Sequence, residues 1–136
     1  MGKIKYLVCL VIVLFLTGCG GIKKSDVFLE YHRSGGIIGL DDQLTIDMEG
    51  NAILKSRNAQ AEFSLDVETL KRLETLLNNA TFTKLKKDYL PAQPGADLIE
   101  YTISYNGHTV LMKDTAVPEI MQPVLEFLNH IVDNRG

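Results

Sequence analysis

The chain has 136 residues, 46% of them apolar, with 14 Lys and Arg against 17 Asp and Glu and a formal charge of −3. That apolar content excludes wholesale disorder, and the length allows one domain of ordinary size. The acidic balance argues against a general nucleic-acid binder, which needs a basic face, and 7% aromatics without Trp do not favour a carbohydrate-stacking platform.

The N-terminus reads as an export signal. Lys3 and Lys5 precede an unbroken apolar run over residues 6–16, and Leu16-Thr17-Gly18-Cys19 follows. A signal-peptide core has about 7–15 apolar residues, whereas a spanning helix needs about 20. The run fits the first description. Leu-Thr-Gly-Cys resembles the bacterial lipobox, whose cysteine thiol is linked to diacylglycerol and becomes the new N-terminus after cleavage. The alternatives are a plain secretory signal with an incidental cysteine, or an uncleaved anchor, since residues 6–22 carry no charge.

The lipobox reading divides the chain into a lipoprotein signal peptide over 1–18, a lipidated tether over 19–25 and one domain over 26–136. It places the protein outside the cytoplasm, lipid-anchored to the bacterial cell envelope through Cys19. The membrane is the cell membrane, or the outer membrane if the source has one. Cys9 departs with the signal and Cys19 is alkylated, so no disulfide is expected. Acyl chains such as palmitate contribute about 0.8 kcal/mol per buried methylene, and two or three of them anchor permanently. Lys23 and Lys24 are either solubilising charge or an attraction to anionic headgroups.

In the domain, Val27, Leu29 and Tyr31 alternate with polar partners, the period-2 pattern of a half-buried strand. Ser34-Gly35-Gly36 breaks it. Leu44, Ile46 and Met48 alternate again, Glu49-Gly50-Asn51 is a turn signal, and residues 52–55 return as a hairpin arm. Asp47 and Asp66 read as polar surface or caps. Asp66 would cap a helix carrying Val67, Leu70, Leu73 and Leu77 on one face, with Glu68 and Arg72 as an i,i+4 pair. Asn78-Asn79 would end it. Phe82, Leu85 and Tyr89 look like anchors of an irregular segment.

Residues 91–97 form a Pro- and Gly-containing loop, and a strand follows over 98–105. Asn106-Gly107 is the strongest short hairpin signal, because a type I′ turn needs positive φ at both central residues. Residues 108–112 return. The last helix begins near Thr115 with Pro118 in its first turn and a stripe of Ile120, Val124, Leu128 and Ile131, flanked by Leu125 and Phe127. Pro123 would break a helix already running from Pro118. A one-turn lead-in followed by a helix from about Gln122 removes the conflict. The predicted class is α+β, a small antiparallel sheet with two helices on one face, in the order β-β-β-α-β-β-α.

Catalytic constellations are absent or weak. The sequence holds no Walker loop, G-x-S-x-G elbow, H-E-x-x-H or cysteine pair. His32, His108 and His130 fall on a strand, a hairpin and the last helix, so no metal site or cofactor is expected, and His108 reads as a surface hairpin residue. Asp41 and Asp42 are adjacent in a strand and face opposite ways, so they cannot share a proton. Lys84, Lys86 and Lys87 read as a solvated edge. The residues do not describe an enzyme.

The informative segment is Arg33-Ser34-Gly35-Gly36-Ile37-Ile38-Gly39. Its glycines permit backbone angles and close approach that side chains forbid, while two adjacent isoleucines are a poor choice for a free loop. Either the glycines fold the isoleucines back onto the core, or the loop offers them to a partner's cleft.

Residues 30–39 (Glu-Tyr-His-Arg-Ser-Gly-Gly-Ile-Ile-Gly) resemble the first strand and R-S-G-G loop of the emfourins, small proteinaceous inhibitors of protealysin and related thermolysin-like metalloproteases. The similarity continues through the Leu70/Leu73/Leu77 helix, Phe82, Pro94-Gly95-Ala96-Asp97, the Tyr101 strand and Ala116-Val117-Pro118, covering roughly residues 27–132. It implies inhibition by occlusion of the protease cleft, with Arg33, Ser34, Gly35, Gly36, Ile37, Ile38 and Gly39 as the contact segment. The partners expected are therefore membrane lipid and a thermolysin-like metalloprotease, and no nucleic acid. The lipid anchor departs from the soluble emfourins. The alternative is an envelope binding or scaffold lipoprotein without a protease target.

Overall fold

A computed structural model describes residues 21–135; the expected signal peptide over 1–18 and Cys19 lie outside them. The domain is α+β, as its sequence predicts. Strands β1 (Val27–Gly35), β2 (Leu40–Asp47), β3 (Asn51–Ser56) and β4 (Ala59–Ser64) precede helix α1 (Val67–Asn79). Strands β5 (Asp88–Tyr89), β6 (Ile99–Tyr105) and β7 (His108–Lys113) follow, and helix α2 (Gln122–Asp133) closes the fold. The sheet order is β4-β3-β2-β1-β6-β7-β5, antiparallel except for the short β5–β7 pair.

β1 lies at the centre of the sheet, paired along its length with β2 and β6. Its inward side chains, Leu29 and Tyr31, join Leu44 and Ile46 of β2, Ala52 and Leu54 of β3, Ile103 of β6 and Val110 and Met112 of β7. Leu73 and Leu77 of α1 and Val124, Leu125, Leu128, Ile131 and Val132 of α2 cover that face. Each large apolar side chain buried there contributes about 1.5–3 kcal/mol. The cluster closes between Leu29 and Val132, entirely within the described segment.

Two strands go beyond the predicted order. β4 returns from β3 through Arg57-Asn58, and neither residue has positive φ, so the turn needs none of the glycine chemistry that would have announced it. β5 has only two residues. Asn106 and Gly107 do take positive φ, 50° and 76°, and join β6 to β7 as the type I′ signal requires.

The helices follow their stripes with local exceptions. Asp66 accepts a hydrogen bond from the Thr69 amide at 2.7 Å and starts α1, but Val67 is exposed rather than buried. Arg72 lies over the Phe127 ring, 5.1 Å from its centroid, and no ion pair joins it to Glu68 among the described residues. α1 ends at Asn79, as the sequence predicts, but the residue that takes the left-handed conformation is Thr81 (φ 48°), after the Ala80 cap, and not an asparagine. A 3-10 turn, Glu119–Met121, leads into α2, which puts Pro123 within the first helical turn where its missing N–H costs nothing. In that lead-in Met121 is buried and Ile120 is exposed, the reverse of the predicted stripe.

The expected tether is partly structured. Lys24–Asp26 form a 3-10 turn; the Asp26 amide donates to the Lys23 carbonyl and the Met48 amide to the Asp26 carbonyl, both at 2.9 Å. From Lys23 onward the chain is therefore tied to the end of β2.

Candidate functional site

The Arg33–Gly39 segment is the end of β1 and the turn that leads into β2. Gly35 pairs with Leu40, and the Gly39 amide donates to the Gly36 carbonyl at 3.1 Å. Ile37 and Ile38 thus occupy the central positions of a β-turn. They are 88% and 78% exposed. Of the two readings open from sequence, the isoleucines are not core.

The glycines make this turn possible. Gly35, Gly36 and Gly39 have φ of 90°, 74° and 64°, where an L side chain is strained. Gly35 also stands where there is no room, since a Cβ there would meet the Leu98 carbonyl oxygen at 2.8 Å; one on Gly39 would meet Arg57 Nη2 at 2.9 Å, the end of a flexible side chain that can move aside. The loop is held on both flanks. The Gly36 amide donates to the Leu98 carbonyl at 3.4 Å, and Arg57 Nη2 donates to the Gly39 carbonyl at 2.6 Å.

Below the turn lies a polar cluster. Arg33 and Asp42 face each other across β1 and β2. Arg33 Nε donates to Asp42 Oδ2 at 2.8 Å, Nη1 to Asn129 Oδ1 at 3.0 Å and Nη2 to Asp133 Oδ1 at 2.6 Å. The Ser56 hydroxyl donates to Asp42 Oδ1 at 2.5 Å, and Tyr31 to Asn129 Oδ1 at 2.7 Å. The Arg33 side chain is 11% exposed. Its charge is thus engaged inside the domain, binding the hairpin stem to α2, while Ser34 lies on the opposite face of β1 and only the tip of the segment projects.

The cluster sets its own protonation. Burial opposes the Arg33 charge, but the hydrogen bonds it donates to Asp133 and Asp42 outweigh it and raise the guanidinium's pKa. Burial likewise opposes the Asp42 carboxylate. The Ser56 hydroxyl and then the Arg33 bond and charge reverse the balance and hold it below the usual carboxylate range. Burial pushes the Tyr31 phenol well above its ordinary value. Tyr101, opposite Arg33 on β6 and donating to Asp114 Oδ1 at 3.0 Å, is pushed up to about 12 by burial and then by that bond.

The remaining polar candidates are dispersed. Asp41 meets His32 Nε2 at 3.0 Å on the uncovered face of the sheet, the side opposite Asp42. His108 is half-buried rather than a surface residue, its Nε2 2.9 Å from the Leu85 carbonyl and its ring edge-on to Phe82. His130 sits on the exposed side of α2 beside Asn134. Among the described residues no three metal-ligating side chains converge, and no helix is long and apolar enough to cross a membrane. Asp47 caps the β2–β3 turn, accepting from the amides of Glu49 and Asn51 at 2.9 Å. Lys84, Lys86 and Lys87 are exposed.

Sequence reasoning missed Arg57, Ser56, Asn129 and Asp133. None carries a local signal, because each acts through a residue brought near by β3 or α2. Comparison with known protein families and with characterised proteins found no match for this chain.

Proposed function

We propose that the domain is a recognition module whose apolar hairpin tip enters a cleft in a partner, and that the partner is a thermolysin-like metalloprotease inhibited by occlusion. The observation that carries the reading is the exposure of Ile37 and Ile38 on a turn fixed from both flanks and from below. Two adjacent exposed isoleucines are costly in water, and a turn already held in one conformation loses little freedom on binding. The resemblance of residues 30–39 to the emfourins supports the same partner class, and an aliphatic pair suits a pocket that takes large aliphatic side chains. In this reading Gly35, Gly36 and Gly39 shape the tip, Ile37 and Ile38 make the contact, and Arg33 holds the stem. Cys19, acylated after cleavage, fixes the domain to the envelope.

The test is inhibition of thermolysin acting on a small peptide, by a lipid-free domain beginning at residue 20. A small substrate is blocked only when the active site itself is occluded. Burying two isoleucines supplies about 3–6 kcal/mol, so replacing both with Asp should weaken inhibition by about a hundredfold or more. Because both side chains are exposed, circular dichroism and thermal stability should stay unchanged. A wild-type domain that leaves thermolysin fully active refutes the protease target. The anchor is tested separately, by labelling with a clickable fatty acid: Cys19→Ala should abolish incorporation, and equal labelling of wild type and variant refutes lipidation at Cys19.

The second reading, an envelope binding module without a protease target, is favoured by the uncovered face of the sheet. Glu30, His32, Gln43, Thr45, Thr102 and Ser104 line an open depression there. Binding through that face would survive the double Asp substitution at the tip.

A further inference from the structure

We infer that Arg57 is the second half of the contact surface, so that the partner presents a carboxylate on the rim of the apolar cleft that receives Ile37 and Ile38. The inference rests on the reading of the tip as the inserted element. The β3–β4 turn reaches the same end of the sheet as the Ile37–Ile38 turn, and the 2.6 Å bond from Arg57 Nη2 to the Gly39 carbonyl sets the guanidinium immediately beside it. A guanidinium carries five N–H donors in a planar fork. Among the described residues Arg57, which is exposed, makes this one side-chain hydrogen bond and has no carboxylate partner. The neighbouring charges are accounted for. Arg33 is shared between Asp42 and Asp133, and Asp41 is beside His32 on the other face. On the far flank, beyond the Gly36–Leu98 bond, the exposed charge is negative, Asp97.

The tip is therefore apolar at its centre, cationic on the β3–β4 side and anionic on the β6 side. A cleft that is merely apolar would accept the hairpin either way round. A cleft with a carboxylate on one rim accepts one orientation, and that carboxylate attracts Arg57 during approach. Opposite charges across an interface act mainly on orientation and association rate, and exposed charges lose that influence as salt shortens their range.

The experiment measures the association rate of the lipid-free domain with thermolysin from inhibition progress curves, between about 20 mM and about 500 mM salt. Arg57→Glu should slow association by about tenfold or more at low salt, and its rate should no longer fall as salt rises. Arg57→Lys, which keeps the charge, should retain most of the wild-type rate and its salt dependence, with Arg57→Gln intermediate. A purely bracing role predicts otherwise: the same loss at every salt concentration, and Lys no better than Gln. That pattern overturns the inference while inhibition by the wild type leaves the tip reading intact, as does an Arg57→Glu rate within about twofold of wild type at low salt. Failure of the wild-type domain to inhibit overturns both.

Discussion

Arg33→Met keeps a long stem between β1 and α2 but removes the donors to Asp42, Asn129 and Asp133. Asp133, with a side chain 60% exposed, turns to water. Asp42, 8% exposed, keeps the Ser56 hydroxyl alone. Removing one member of a buried ion pair strands the other charge and costs about 3–5 kcal/mol. The loss should depend on pH. In the native domain the Asp42 pKa lies below its unfolded value, so its stabilisation is complete above about pH 4 and is lost as pH falls through the folded value. In the variant only the Ser56 hydroxyl is left to oppose burial, so the folded pKa of Asp42 rises from its native position. The penalty is then full at neutral pH and fades as acid neutralises the carboxylate. Urea denaturation of the lipid-free domain should show the 3–5 kcal/mol loss at about pH 7 and a smaller one at about pH 3, with little change in slope. A loss below about 1 kcal/mol at neutral pH, or the same loss at both, would refute the assignment of Arg33 to a buried network.

Leu73→Ala should destabilise the domain by about 2–5 kcal/mol, because Leu73 is fully buried between α1 and the sheet; Lys71→Ala, on the exposed side of α1, should shift the denaturation midpoint little. Gly35→Ala should cost about 1–3 kcal/mol for backbone strain, plus displacement of the Leu98 carbonyl. Gly107→Ala, with positive φ but open space around its Cβ position, should cost only the strain, so equal midpoints for the two variants would show that the Gly35–Leu98 approach does not matter.

Periodicity located the parts of this fold that bury one face, and it failed where burial or pairing is decided elsewhere. Leu44 and Ile46, or Leu73 and Leu77, repeat at the spacing of their element and face the core. β4 does alternate, Ala59, Ala61 and Phe63 against Gln60, Glu62 and Ser64, but two of its three apolar residues are small, none is fully buried, and its turn has no positive φ for a glycine to mark. Val67 and Ile120 carry the right residue type at helix starts but face solvent, and in the lead-in to α2 it is Met121 that takes the buried place. The tip was legible as a dense set of glycines around an apolar pair. Its support was not, since Arg33 meets Asn129 and Asp133 across 96 and 100 residues of chain. An arginine beside a glycine loop reads as a free charge until the fold shows what it holds.

β1 joins the base of the domain, next to Lys23, to the Ile37–Ile38 turn without interruption. If Cys19 carries lipid and a partner holds the tip, as proposed, any pull between membrane and partner would run along this one strand. A strand rises about 3.2–3.4 Å per residue, close to the fully extended limit of about 3.3–3.6 Å. Melting β1 out of the sheet would therefore add almost no length between the two points, and tension along that line does no work in unfolding the domain. The load passes through covalent backbone, and the first thing to yield is the grip of the partner or of the lipid, leaving the fold intact.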